Sequence, residues 1–225
     1  MTRPDQIVAM SGDLFASLPS PASIEPIAEG AAILRGFAAP AAPALIGAIA
    51  KISAQAPFRQ MTTPGGYQMS VAMTSCGALG WVTDRKGYRY AAQDPQSEMP
   101  WPGMPAAFLG LANAAAAAAG FSDFAPNSCL INRYEAGSKL SLHQDRDEQD
   151  LAAPIVSVSL GLPAIFQFGG VKRSDPIKRY RLESGDVVVW GGTARLAFHG
   201  VGLLKPGHHP LTGSYRYNLT FRKAG

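Results

Sequence analysis

From residue 128 onward the chain is written in short apolar runs that alternate with polar positions: CLINRY, PIVSVSL, AIFQFGG, RYRL, DVVVW, LAFHGV and YRYNLTF. Gly, Pro and Asp turn residues separate them. Period-two runs of this length predict strands, and many strands without intervening helices predict a sandwich, barrel or jelly roll. The first half reads differently. GFAAPAAPALIGAIAKISAQAP predicts a helix from near Pro43 that ends before Pro57. MPAAFLGLANAAAAAAGF predicts a second, with Gly120 as its stop. Between them, GGYQMSVAMTSCGALGWVTDRKGYRY alternates but is broken by glycines, and reads as two short strands in a flap-like excursion. It carries Tyr67, Met69, Met73, Trp81 and Tyr88. Residues 1–30, rich in Pro, Ser and Ala, read as a loose extension. The expected class is therefore α+β and mainly β. Residues 31–225 would form one domain, with a flap at 66–90 and a β core at 128–225.

At 225 residues, 47% hydrophobic and 16% charged, the chain can bury a sizeable core and is not a disordered one. Cys76 and Cys129 show no CxxC spacing and read as reduced, partly buried thiols. MTRPDQIVAMSGDLF has no useful apolar h-region, and no run of apolar residues is long enough to span a bilayer. A soluble, cytoplasmic monomer is expected. The net charge is +4, concentrated in VKRSDPIKRYR and TDRKGYRY. In the second of these, basic residues alternate with tyrosines. That pattern suits a nucleic-acid backbone with exposed bases, and equally suits an ordinary charged hairpin.

The candidate chemistry starts at His143 and Asp145 in SLHQDRDEQD, spaced i, i+2 and so on one face of an extended backbone. A third imidazole, His199 in RLAFHGV, arrives from far downstream. The chain has 4 histidines, and the other two, His208 and His209, fall in the turn KPGHHP. Two imidazoles and one carboxylate occupy one face of an octahedral metal and leave the opposite positions open, the donor set of a non-haem Fe(II) oxygenase. The strand SYRYNLTFRKAG places Arg216, Asn218, Thr220 and Arg222 on one face, with Tyr217, Leu219 and Phe221 on the other. Its polar face reads either as a solvated surface or as a binding wall for carboxylates, which an arginine fork holds bidentately. On a flat strand the two arginines would stand about 20 Å apart, which strains the second reading unless the strand twists or the side chains reach inward.

Taken together, the HxD, the distant His and the RxNxTxR strand resemble the AlkB family of Fe(II)- and 2-oxoglutarate-dependent nucleic-acid dealkylases. APFRQMTTPGGYQMSVAMTSCG, CLINRY, KLSLHQDRDE, APIVSVSLGLPAIFQFGG, GDVVVWGG and RYNLTFR carry the resemblance, which runs from about Ile33 to Arg222. It implies a double-stranded β-helix, a jelly-roll variant, with N-terminal helices and a nucleotide-recognition flap. It implies Fe(II) on His143, Asp145 and His199, with 2-oxoglutarate and O2 as cosubstrates. Arg216, with Tyr134 and Asn132, would take the distal carboxylate of 2-oxoglutarate. Arg222, with Asn218, would take the carboxylate that chelates iron. Trp81 would stack on a flipped-out base with His143 on its other face. Asp147 would accept from the exocyclic amine, and Met73, Tyr88 and Arg173 would line the mouth or grip phosphates. Arg146 stands where the family's type member has lysine. The partner implied is alkylated DNA, with RNA as a further candidate. The reaction is hydroxylation of the alkyl group of bases such as 1-methyladenine or 3-methylcytosine, with release of aldehyde, succinate and CO2. Two other readings stay open on the residues: a 2-oxoglutarate oxygenase of protein or small molecules, and a cupin-like metal- or nucleic-acid-binding domain without activity.

Overall fold

A computed structural model describes residues 23–225. Its first half consists of β1 (Ser23–Ala28), β2 (Ala31–Arg35), α1 (Ala42–Gln55), β3 (Arg59–Thr62), β4 (Gln68–Gly77), β5 (Gly80–Asp84), β6 (Gly87–Ala91) and α2 (Ala106–Ala118). The second half consists of β7 (Ser128–Tyr134), β8 (Leu140–His143), β9 (Ile155–Gly161), β10 (Ala164–Phe168), β11 (Lys178–Leu182), β12 (Val187–Trp190), β13 (His199–Val201) and β14 (Arg216–Arg222). Eight strands form one antiparallel sheet in the order β1-β2-β12-β9-β14-β7-β4-β3, and four form a second in the order β11-β10-β13-β8. The two face each other as a jelly roll.

The large sheet is covered on both faces, which is why β9 is buried at every position. Its outer face carries Val156, Val158, Leu219 and Phe221 against Leu45, Ile49, Phe108 and Ala112 of the helices. The alanine run serves that contact: Ala112, Ala115 and Ala116 are fully buried, so α2 lies close to the sheet. At its end Gly120 takes φ +88°, and the amide of Phe121 donates to the Ala116 carbonyl at 2.9 Å, the backbone cap that glycine makes inexpensive. The inner face meets the small sheet in two clusters. Ile33, Ile155 and Val188 pack on Phe166, Phe168 and Leu182. Leu130 and Tyr134 pack on Ala164 and Val201.

Three expectations change. The segment read as loose up to residue 30 includes β1, which pairs with β2 and is pinned by Arg35 to Glu25 at 2.5 Å and to Asp186 at 2.7 Å; residues 1–22 lie outside the described residues. The excursion at 66–90 is smaller than expected, because β4 is a ten-residue strand of the large sheet, between β7 and β3. Only β5 and β6 leave it, as a separate two-stranded hairpin. The β core likewise draws β1–β4 from before residue 128. Alternation marks strands but does not say which sheet they join. Cys76 and Cys129 are free, fully buried and directly opposite each other on β4 and β7.

Candidate active site

The site lies between the sheets. His143, at the end of β8, stands directly opposite His199, at the start of β13, and their ring centroids are 4.4 Å apart. Asp145 follows two residues after β8. Its Oδ1 is 3.5 Å from His143 Nε2 and its Oδ2 3.7 Å from His199 Nε2. One donor atom from each of the three residues lies within 4.8 Å of the others. The Nδ1 of each ring faces the backbone carbonyl two residues before it, Ser141 at 2.8 Å and Ala197 at 3.0 Å. A carbonyl only accepts, so Nδ1 carries the proton and Nε2 presents its lone pair to the centre of the triad.

Electrostatics favour a divalent cation there. Asp145 resists burial, which alone would raise its pKa; Arg222 and the two imidazoles hold it well below the ordinary carboxylate range. Burial and the neighbouring His143 push His199 down to about 4, so this ring is neutral and ready to ligate near neutral pH. Burial also pushes His143 down, but the hydrogen bond and charge of Asp145 outweigh it and raise the ring above its ordinary value.

A cavity of 840 Å³ opens from the triad. Its floor is the polar face of β14 and β7, where Arg216 lies opposite Tyr134 and Asn218 opposite Asn132. Arg216 and Arg222 both line it, despite the six residues between them. They differ in what they hold. Arg222 donates from Nε and Nη2 to Asp145 Oδ2 at 2.9 and 2.6 Å, and its Nε is 3.3 Å from Glu148 Oε1. Its Nη1 is buried without a partner. Arg216 reaches the Ser159 hydroxyl at 3.2 Å and the Tyr217 carbonyl at 3.4 Å, and makes no ion pair among the described residues. Its Nε and the Tyr134 hydroxyl are also buried without partners. Burial raises the Tyr134 phenol to about 12 and lowers Arg216. These orphaned groups are donors, and the ligand they fit is one rich in carboxylate oxygens. A metal triad beside orphaned donors on two arginines and a tyrosine fits a divalent ion chelated by a dicarboxylate.

Asn218 has a different place from the one expected. Both amide hydrogens are taken, by Ser157 Oγ at 2.8 Å and the Val158 carbonyl at 3.1 Å. Its Oδ1 accepts from Asn132 and Thr220. In this arrangement it braces the cavity wall between β7 and β9. Met73, expected at the mouth, is 2% exposed and lines the cavity from inside the core.

At the mouth, Trp81 and Tyr88 stack with centroids 5.7 Å apart and planes 18° from parallel. The Trp81 indole donates to Asp147 Oδ2 at 2.9 Å, so part of the carboxylate expected to await a base is held by the hairpin. The hairpin is better anchored than its glycines suggested. Val82 is buried against Ala56 and Trp101, and a Cβ at Gly80 would come within 2.2 Å of Trp101, so only glycine lets that ring lie against the strand. Arg173 stacks over Phe198 at 5.4 Å and lines the cavity. Two of the other basic residues in these runs are neutralised locally, Arg89 by Asp84 and Arg181 by Glu183. His208 and His209 lie away from the cavity, His209 in a turn bridged to Gly213. The sequence reading missed Glu148, Arg195 and Tyr90, which close a buried hydrogen-bonded cluster behind Asp145. The acidic run after HxD was its only sequence signal.

The class these features define is a jelly-roll enzyme dependent on Fe(II) and 2-oxoglutarate, and the 2OG-Fe(II) oxygenase superfamily matches the chain over residues 30–222. The alpha-ketoglutarate-dependent dioxygenase AlkB of Escherichia coli K12 is 66% identical over 201 residues, covering 89% of this chain and 93% of that protein. Its counterpart in Salmonella typhimurium is 62% identical over 200 residues, with the same coverage. The solved structure titled "The structure of OsALKBH1" superposes with a TM-score of 0.79 at 30% identity, covering 89% of this chain and all of that one. This chain belongs to the AlkB family of alpha-ketoglutarate-dependent dioxygenases. It uses Fe(II), 2-oxoglutarate and O2. Among the described residues, no helix is long and apolar enough to cross a membrane.

Proposed function

We propose that the protein repairs alkylated bases in nucleic acid by oxidative dealkylation. One observation carries the reading. A single cavity joins the His143–Asp145–His199 triad, the unpaired cation Arg216 and an aromatic–acid mouth formed by Trp81, Tyr88 and Asp147. Relatives named as dioxygenases or demethylases of tRNA, DNA and nucleic acid support the substrate class.

The residues divide the work along the cavity. His143, Asp145 and His199 would hold Fe(II). Arg216 and Tyr134, with Asn132 beside them, would take one carboxylate of 2-oxoglutarate on their orphaned donors, and Arg222 would offer Nη1 to the other. Fe(II), 2-oxoglutarate and O2 together supply the hydroxylation of the alkyl carbon, with succinate and CO2 as co-products. The resulting N-hydroxyalkyl group then loses an aldehyde, formaldehyde from methyl, and the base is restored. Buried apolar walls around the triad, including Phe166 and Trp190, keep bulk water from it. The base reaches this depth only when extruded from its stack, which is cheapest for a lesion that cannot pair. Trp81 would stack on it from the hairpin, with His143, which lines the same cavity, on its other face. Lesions such as 1-methyladenine and 3-methylcytosine are cationic, so an aromatic face and the Asp147 carboxylate favour them over unmodified bases. Tyr88 and Arg173, at the mouth, contact the flanking backbone. The triad and both arginines stand complete within one chain, an arrangement compatible with a monomeric enzyme. It works in the cytoplasm, where Cys76 and Cys129 stay reduced.

The test is a panel of oligonucleotides, DNA and RNA, single- and double-stranded, each with one methylated base. With Fe(II), 2-oxoglutarate and O2, mass spectrometry should show loss of the methyl group and formaldehyde with at least as much succinate. Succinate formed at native rates with no change in any oligonucleotide would move the substrate to another class.

A further inference from the structure

We propose that Glu148 is the positioning residue that fixes Arg222 behind the metal triad and ties both to the hairpin carrying Trp81 and Tyr88. The inference rests on the function proposed above and adds to it a mechanical link between the base-binding hairpin and the metal site. Glu148 lies in the irregular segment after β8, three residues beyond Asp145, and is 7% exposed. Its Oε2 accepts from Arg195 Nη2 at 3.0 Å. Its Oε1 accepts from the Tyr90 hydroxyl at 2.6 Å and faces Arg222 Nε at 3.3 Å. Arg195 is itself 3% exposed and turns its other nitrogens to the backbone, Nη1 to the Asp145 carbonyl at 2.8 Å and Nε to the Ala153 carbonyl at 3.0 Å. Two guanidiniums and two carboxylates thus form a buried, charge-balanced cluster whose fourth corner is the metal ligand Asp145.

The hairpin is bonded to the same stretch of chain. Trp81 and Tyr90 are direct cross-strand partners on β5 and β6. Trp81 donates to Asp147 and Tyr90 to Glu148, adjacent residues just past the ligand. The two ties differ in permanence. Asp147 is exposed and faces the mouth, where a base competes for it. Glu148 is buried, so its tie persists when a base enters. Burial holds the Tyr90 phenol far above its ordinary pKa, which keeps it a donor. A shift of the hairpin toward a base therefore pulls on the oxygen that positions Arg222, and loading of the metal site stiffens the hairpin in return.

Two measurements need no nucleic acid and so stand apart from the substrate assignment. First, Mn(II) is titrated calorimetrically into the metal-free chain. Glu148→Gln leaves two buried guanidiniums beside one carboxylate, and the added positive charge should weaken Mn(II) binding by about tenfold, with Glu148→Asp recovering part of the loss. Second, amide exchange of residues 80–91 is followed with and without Mn(II) and 2-oxoglutarate. Loading should slow exchange in the native hairpin by about threefold or more, and Tyr90→Phe, which keeps the charge but loses the tie, should abolish the slowing while leaving Mn(II) affinity within about twofold. Should Glu148→Gln fail to fold, Glu148→Asp and Tyr90→Phe decide the question. Unchanged Mn(II) affinity in a folded Glu148 variant overturns the positioning role. A native hairpin indifferent to loading, or a Tyr90→Phe hairpin that still responds, overturns the link. Absence of dealkylation with both results as expected would overturn the substrate assignment alone.

Discussion

Arg216 and Arg222 sit on the same face of the same strand, 1% and 6% exposed, and yet belong to opposite kinds of site. The Arg222 end is closed by the protein itself: two carboxylates surround the guanidinium and raise its pKa although burial alone would lower it. At the Arg216 end there is a hydroxyl, a long contact to a carbonyl and an orphaned phenol, and burial lowers the pKa. A buried ion pair satisfies itself, whereas a buried cation without an anion costs stability until an anion arrives. One end is mainly scaffold, with only Arg222 Nη1 left without a partner, and the other is a receptor.

That contrast is broken most severely at Arg222. Arg222→Met strands Asp145 and Glu148 in the interior, and the metal-free chain should lose about 3–5 kcal/mol of stability in urea unfolding. The same change at Arg216 removes a cation with no counter-charge. Arg216→Met should leave stability unchanged or raise it by about 1 kcal/mol, while abolishing 2-oxoglutarate binding to the Mn(II)-loaded protein. Equal losses of stability at the two positions would erase the distinction between scaffold and receptor.

Trp81→Ala tests the mouth rather than the floor. Trp81 is only partly buried and leans on Tyr88, so the fold should survive. Affinity for a methylated oligonucleotide should fall by about 1–3 kcal/mol, with 2-oxoglutarate affinity unchanged. A collapse of the melting temperature with substrate affinity intact would place the ring in the core instead.

The smallest effect is on pH. The pKa of His143 is raised above its ordinary 6.5, chiefly by Asp145 working against burial. Protonated His143 therefore stabilises the metal-free fold below the ordinary value, and this contribution is lost as pH rises through the raised one. Metal needs the neutral ring, so Mn(II) affinity should rise over the same interval. His199, near 4, should contribute nothing there. Calorimetry from about pH 6 to about pH 8 checks the sign; affinity that falls with rising pH contradicts it.

Much of this was legible because it was periodic. The i, i+2 spacing brought His143 and Asp145 together, and the scarcity of histidine singled out His199 as their partner. Alternation along β14 gave its two faces correctly, Leu219 and Phe221 to the helices and the arginines to the cavity. The two arginines, far apart on a flat strand, nevertheless line one cavity, Arg222 turned to Asp145 and Arg216 to Ser159. What escaped the sequence depends on non-periodic segments and on sheet order. Glu148 and Arg195 lie in irregular chain, and their contacts span 47 residues. The place of β4 in the large sheet is set by pairing with β7, from Gly77 opposite Ser128 to Ala72 opposite Arg133, which alternation does not encode. Asn218 has the expected face, but its bonds to the hydroxyl and carbonyl of the neighbouring β9 depend on sheet order, which alternation does not encode.

The proposed function requires one cavity to perform metal binding, cosubstrate binding and base recognition together. The direct test is a single reaction of the native chain with Fe(II), 2-oxoglutarate, O2 and an oligonucleotide bearing one 1-methyladenine, in which succinate, formaldehyde and demethylated strand are counted. Formaldehyde and demethylated strand should form in equal amounts with at least as much succinate, none of the three with His199→Ala, and only slow succinate without formaldehyde when the methylated strand is withheld. Demethylation by the His199→Ala chain, or formaldehyde without matching succinate, would contradict it.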